Sequence, residues 1–308
     1  MSRNLTIAAA QYPLDAYAAM DAYEAKLERW VSEAAKQGAE LLVFPEYGAM
    51  ELAALDGPAA GLDLERSIDA VSRRLPEIDQ IHSRLARQLG VSIVAASAPE
   101  RQADGSTLNV ARIFGPSGRK GRYAKLMMTP WERDPWRIAA GNELLVFDIG
   151  PAKIGLLICY DIEFPLLSRA LAEAGADIIL APSNTETEHG YWRVRVGAMA
   201  RALENQVYTV HAPTVGPAPF CAAVETNCGA AGIFAPSDKG FPPGGVVALG
   251  EMNRPQWVTA KLDLTLLKAV REAGGVQTFR HWREQPGAGP LPKATLVDLT
   301  GKQAEAAA

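Results

Sequence analysis

The chain is expected to fold as an α/β unit of layered sheets covered by helices, and three observations lead there. Short apolar runs of strand length alternate with segments whose apolar residues recur at three- and four-residue steps. The octet Gly38-Ala39-Glu40-Leu41-Leu42-Val43-Phe44-Pro45 returns as Gly175-Ala176-Asp177-Ile178-Ile179-Leu180-Ala181-Pro182, each copy following a helical pattern and ending in proline. No linker stands out before position 213 of the 308 residues, so residues 1–284 are expected to form one domain. Two similar halves packed together would explain both the repeat and the length; chance similarity between helix–strand junctions is the competing account.

Residues 5–11 are apolar, short and turn-bounded, a buried strand. Met20, Tyr23, Leu27, Trp30 and Ala34 then mark one face of an amphipathic helix, which Gly38 stops. Residues 41–44 form the next strand, ended by Pro45. Ile78, Ile81, Leu85 and Leu89 mark a second helix, with Pro76 near its first turn and Gly90 closing it. Residues 91–96 return to strand. Segments 108–114 and 122–126 flank Gly115-Pro116-Ser117-Gly118 and read as a hairpin. A second pair, 144–149 and 154–159, surrounds Gly150-Pro151. A helix over 166–174, a strand over 178–181, a helix over 192–205 and a strand over 207–212 follow. Beyond Pro213 the chain is rich in glycine and proline, with weaker strands at 246–249 and 257–262. Residues 285–308 read as an extended C-terminal arm.

Composition narrows the function classes. A hydrophobic fraction of 48% with 21% charged residues describes a globular chain rather than a disordered one. The net charge of -4 argues against a nucleic-acid partner, which needs a concentrated basic surface. A small molecule is the expected partner. The three cysteines, Cys159, Cys221 and Cys228, cannot all pair, and they lack the short spacing of a structural zinc site. No apolar run of roughly 20 residues is present, so no membrane span is expected. With no signal-peptide pattern at its start, the protein is expected in the cytoplasm.

Polar residues that directly follow buried strands are the most informative, because strand ends project side chains into clefts. Glu46 follows Leu-Leu-Val-Phe-Pro, Lys125 follows Arg122-Tyr123-Ala124, and Cys159 follows Ile-Gly-Leu-Leu-Ile. Taken singly, each has a plain structural reading. Cys159 can be a small core residue, Glu46 an acid satisfied by an arginine, Lys125 a solvated lysine. Cys159 also lies between a strand and an expected helix start, where backbone N–H groups favour a thiolate and can hold an oxyanion. Together the three supply a general base, a cationic stabiliser and a nucleophile.

At these residues the chain resembles the nitrilase superfamily of carbon–nitrogen hydrolases. The matching residues are Phe44-Pro45-Glu46, Tyr123-Ala124-Lys125-Leu126 with Glu132 downstream, and Cys159-Tyr160-Asp161 followed by Phe164-Pro165. The segments Gly175-Ala176-Asp177-Ile178-Ile179-Leu180 and Arg201-Ala202-Leu203-Glu204-Asn205 also fit, so the likeness spans most of residues 5–265 in order. It implies a four-layer αββα sandwich with two pseudo-symmetric halves, and a Glu-Lys-Cys triad that uses no metal or organic cofactor. On that pattern Glu46 is the general base and Cys159 the nucleophile. Lys125 and the backbone N–H of Tyr160 stabilise the oxyanion, and Glu132 is the family's second glutamate. Tyr160-Asp161 stand where the nitrile-hydrolysing members usually have Trp and Glu, which points to an amidase-type member acting on a small amide. A nitrile or an N-carbamoyl compound is the alternative substrate. Trp131, Trp136, Asn184, His189 and Trp192 are candidate pocket residues, and a homodimer or higher homo-oligomer is expected. Two competing readings are a Cys-His hydrolase using His189 or His211, and a binding module without activity.

Overall fold

The computed structural model describes residues 3–289, so the expected arm at 285–308 lies almost wholly outside the described residues. In the first half, β1 (Asn4–Pro13), α1 (Met20–Lys36) and β2 (Leu41–Val43) are followed by a 3-10 segment, Gly48–Asp56. Next come α2 (Pro58–Gly61), α3 (Leu64–Ser72), α4 (Leu75–Leu89), β3 (Ser92–Val94), β4 (Ala98–Arg101), β5 (Thr107–Phe114), β6 (Lys120–Ala124) and α5 (Pro130–Arg133). The second half runs through β7 (Val146–Asp148), β8 (Lys153–Leu156), a 3-10 turn at Cys159–Glu163, α6 (Pro165–Glu173), β9 (Ile178–Ser183), α7 (Glu188–Asn205) and β10 (Tyr208–Pro217). It closes with β11 (Thr226–Asn227), β12 (Gly232–Phe234), β13 (Val246–Leu249), β14 (Gln256–Asp263), α8 (Leu264–Ala273) and α9 (Thr278–His281).

The two halves repeat one topology. In the first, strands lie in the order β14-β1-β2-β3-β5-β6, with parallel pairing only among β1, β2 and β3. In the second the order is β7-β8-β9-β10-β12-β13, parallel only among β8, β9 and β10. Helices α1 and α4 occupy the same crossovers as α6 and α7. The halves also meet edge to edge, where Tyr12 and Pro13 of β1 run parallel to Thr214 and Val215 of β10.

The repeated octet is the visible trace of this symmetry. Gly38 and Gly175 both take positive φ, 82° and 96°, which lets each helix end turn sharply into a strand. The next residue but one is an acid that pins the neighbouring strand's start. Glu40 accepts from Thr6 N at 2.9 Å, and Asp177 accepts from Lys153 N at 3.0 Å.

Side-chain alternation builds the four layers. On β1, Leu5, Ile7 and Ala9 join one core cluster with β8, β9, β10 and the inner side of the second half. Ala8, Ala10 and Tyr12 point the other way, into a core shared with Leu27 and Val31 of α1 and Ile78, Ile81 and Leu85 of α4. Val194, Ala198 and Ala202 of α7 cover the far side of the second sheet. The αββα sandwich is the observed fold.

Several elements escaped the sequence reading. α3 lies in a stretch left unassigned, although Asp63 caps it by accepting from Arg66 N at 2.9 Å. β4, β12 and α8 were also missed; β12 is three residues long, and α8 is capped by Asp263. The helix expected to follow Cys159 starts only at Pro165, and a five-residue 3-10 turn fills the gap. No helix among the described residues is long and apolar enough to cross a membrane.

Candidate active site

Glu46, Lys125, Glu132 and Cys159 line one cavity of about 250 Å³, together with Tyr160, Trp131, Trp136 and Asn184. Glu46 follows β2, Lys125 follows β6, Glu132 lies on α5, Cys159 follows β8 and Asn184 follows β9. The cavity thus opens beyond the carboxyl ends of parallel strands from both halves, where diverging loops leave room.

Lys125 is the hub. Its Nζ lies 2.7 Å from Glu46 Oε1, and 2.8 and 2.7 Å from the two oxygens of Glu132. All three side chains are at most 3% exposed. Burial alone would strip the ammonium of its proton, but the Glu46 and Glu132 carboxylates more than offset that and hold it charged. Burial acts on Glu132 in the opposite, raising direction, yet Lys125 and the donors around it keep the group ionised, below the usual range.

Glu132 is positioned by a local device. Thr129 caps α5, with its Oγ1 accepting from Glu132 N, while Glu132 Oε2 accepts from Thr129 N at 2.9 Å. Tyr47 donates its hydroxyl to Glu132 Oε1 at 2.8 Å.

Glu46 faces a different balance. Asn109 Nδ2 donates to its Oε1 at 3.0 Å and Asn184 N to its Oε2 at 2.9 Å. Burial nevertheless dominates over the attraction of Lys125, and with Glu132 nearby the carboxyl is pushed up to about 7.

Cys159 has φ 50°, a left-handed conformation that non-glycine residues rarely adopt and that collects at functional turns. The thiol contacts Asn184 O at 3.7 Å. The sequence reading expected a helix start that would favour thiolate. Burial and the Glu46 carboxylate instead raise the thiol well above its ordinary value, so the resting sulfur is protonated. A neutral thiol, a carboxylate able to take a proton near pH 7 and a fixed cation can together perform acyl transfer.

Asp161 locks the two sides together and was not singled out as a site residue. It is fully buried. Its Oδ1 accepts from Met127 N at 2.7 Å, just beyond Lys125, and its Oδ2 from Ile158 N at 3.1 Å, just before Cys159. Tyr123 donates its hydroxyl to Oδ2 at 2.9 Å. One carboxylate therefore fixes the lysine strand end to the cysteine turn. Asn109 and Tyr47 were missed as well. An asparagine inside the apolar strand Leu108-Asn109-Val110 was the available signal.

Other candidates moved. His189 is exposed and does not line the cavity, and Trp192, 47% exposed, lies outside it too. Asn184 serves through its backbone, because its Nδ2 is turned to Thr214 Oγ1 and Asn227 Oδ1. None of the four histidines lines the cavity. His82 binds Ile78 O and His211 binds Ser183 Oγ, both in the core. The Cys-His reading therefore lacks its geometry. Among the described residues no group of His, Cys, Asp and Glu is arranged to hold a metal ion.

Comparison with known proteins agrees with the fold. The carbon–nitrogen hydrolase family model matches residues 6–240. A probable hydrolase of Bacillus subtilis, YhcX, is 34% identical over 274 residues, covering 89% of this chain and 52% of that protein. The chain thus spans about half the length of that relative. An (R)-stereoselective amidase of a Pseudomonas species is 30% identical over 238 residues, covering 75% of this chain and 76% of the amidase. Among solved structures, Saccharomyces cerevisiae Nit3, a nitrilase-superfamily member, superposes with a TM-score of 0.69 at 20% identity, over 87% of this chain and 93% of Nit3. An amidase from Nesterenkonia sp. AN1, with acrylamide added at its active-site cysteine, gives 0.68 at 21% identity, over 90% and 99% of the two chains. The chain belongs to the carbon–nitrogen hydrolase family, within the nitrilase superfamily.

Proposed function

We propose that the protein hydrolyses the carbon–nitrogen bond of a small amide through a thioester on Cys159, releasing ammonia or an amine. The observation that carries this reading is the cavity in which the Cys159 thiol, the Glu46 carboxyl and the Lys125 ammonium meet, with Lys125 Nζ 2.7 Å from Glu46 Oε1. As sulfur bonds to the amide carbon, the thiol proton passes to Glu46. The carbonyl electron pair moves to oxygen, where Lys125 and the backbone N–H of Tyr160 meet it; such donors are worth roughly 3–4 kcal/mol. At rest the lysine directs its protons at carboxylates, with two contacts to Glu132. One of those contacts suffices as an anchor, so a proton is available to the oxyanion.

Collapse of the tetrahedral intermediate breaks the C–N bond, and the proton on Glu46 goes to the departing nitrogen. Water then attacks the thioester and gives a proton to Glu46. The acid departs as the sulfur recovers its proton. Base and acid roles require a carboxyl near the working pH, which burial of Glu46 supplies. The three cysteines are all free and buried, which suits a reducing cytoplasm.

An amide is preferred to a nitrile because Tyr160-Asp161 follow the cysteine and because an amide places its charge on oxygen, where Lys125 can reach it. For one acyl skeleton, kcat/KM for the amide should exceed that for the nitrile by at least about tenfold, roughly 1.4 kcal/mol. Paired assays of released ammonia and acid, with an N-carbamoyl analogue included, decide the substrate class. A faster nitrile or carbamoyl compound overturns the amide assignment. Cys159→Ala should abolish turnover in every case, while Cys221→Ala and Cys228→Ala should be tolerated. A trapped acyl adduct found by mass spectrometry on any cysteine but Cys159 would remove the nucleophile from this scheme.

A further inference from the structure

The cavity walls divide by chemistry. One side is aromatic: Tyr47, Trp136 and Trp131 stand in a row with ring centroids 4.6 and 4.9 Å apart. The row runs from buried Tyr47 out to Trp131, which is 36% exposed. The lining also carries Glu163, Glu186 and Arg193. Arg193 lies 3.6 Å from Glu163 and is thereby partly neutralised. Glu186 is exposed and forms no ion pair among the described residues.

Charge summed over this mouth is negative, two carboxylates against one guanidinium. The interior does not reverse it, because Lys125 is already met by Glu46 and Glu132. One feature pulls the other way. α7 begins at this wall with Thr187 as its cap, and a helix N-terminus presents the equivalent of roughly half a positive charge. Glu186 and Glu188 sit on either side of that cap and outweigh it.

A negative mouth lined by aromatic rings attracts cations through Coulomb attraction, and a ring that turns its face to the ligand adds its quadrupole. We infer that this mouth selects substrates whose short chain carries a protonated amine, and rejects those ending in a carboxylate. The inference rests on the reading of the cavity as a carbon–nitrogen hydrolase site and names the substrate class within it.

The test separates the two. Three iodoacetamides of equal length, with tails ending in an ammonium, a hydroxyl or a carboxylate, alkylate Cys159 as its sulfur displaces iodide and its proton is lost. Rates are followed by mass spectrometry of the intact protein and of the Cys159 peptide, and normalised to 2-mercaptoethanol. At low ionic strength the ammonium reagent should be faster than the carboxylate one by at least about tenfold. The ratio should fall toward one as the Debye length shrinks from about 30 Å at 0.01 M salt to about 3 Å at 1 M. Glu186→Gln should reduce the ratio severalfold, and Arg193→Gln should increase it. Equal rates, or a faster carboxylate reagent, overturn the inference. Hydrolysis of the three matching amides is assayed in parallel. Should the reagents discriminate while no amide is cleaved, the charge selection stands and the amidase reading falls. Should the carboxylate-tailed amide be the best substrate, the amidase reading stands and the charge selection falls.

Discussion

At the scale of single residues, Glu46 and Asp161 show how burial is put to two uses. Both are carboxyls in the core, and burial raises both, Glu46 to about 7 and Asp161 to about 6. In the proposed mechanism Glu46 gives and takes a proton and its basic form is required for attack, so kcat/KM should rise with pH through about 7 and level off above it. Glu46→Gln should flatten that limb and slow acylation by about 100-fold or more; a variant that keeps wild-type kcat/KM removes Glu46 from the chemistry. Asp161 acts on geometry instead. In Asp161→Asn one oxygen becomes an N–H₂ group, which cannot accept from Ile158 N or Met127 N. Leaving such a buried donor unpaired costs about 1–3 kcal/mol of stability. The variant should also lose kcat while KM changes little, because the lysine end and the cysteine turn are no longer tied. A KM change with kcat intact would show that Asp161 does not set the reacting geometry. The sequence exposed Glu46 and Cys159 because each follows an apolar run, and Lys125 because it stands just past the second strand of a hairpin. It hid Asn109 and Tyr47, because a polar residue on a strand or loop shows its partner only after the chain has folded.

At the scale of elements, legibility followed periodicity. The long helices α1 and α4 declare themselves through repeated apolar spacing and glycine stops, and the paired strands through short apolar runs around turns. Elements of three or four residues, such as β12 and α5, are too short to show a period and are held by tertiary contacts. One link between elements left no sequence signal at all. Lys26 of α1 is buried against Glu51 in the 3-10 segment that follows Glu46, and Tyr12 of β1 donates to the same carboxylate at 2.9 Å. Lys26 also binds Pro13 O at 2.6 Å. This pair holds the segment that follows Glu46 against the first sheet. Lys26→Met strands a buried carboxyl and should cost about 3–5 kcal/mol in urea unfolding. Lys26→Met with Glu51→Leu should recover most of that loss, since removing both partners leaves no buried charge. An unchanged midpoint in the single variant would mean that the pair contributes little.

At the scale of the whole molecule, the outer face of α7 carries Trp192, Val196 and Leu203, which are 47%, 57% and 45% exposed. They recur at four and seven residues, so they form one apolar stripe on a helix whose other face is in the core. We propose that a second copy of the chain, related by a two-fold axis, covers this stripe in each partner at once. Val196→Glu should shift the protein toward monomer in sedimentation velocity, with the fold preserved by circular dichroism. An assembly that survives the change places the contact elsewhere.

The seam between the repeated halves has a further consequence. Glu46, Lys125 and Glu132 come from the first half, Cys159 and Asn184 from the second. The eighth step after the shared glycine is Glu46 in one copy and Ser183 in the other, where the serine is bound to His211 in the core. In the proposed mechanism the two similar halves divide the labour, one supplying the acids and the cation, the other the sulfur. Neither half alone would then carry the whole set, so a change that parts the halves should abolish turnover even where each half keeps its own sheet.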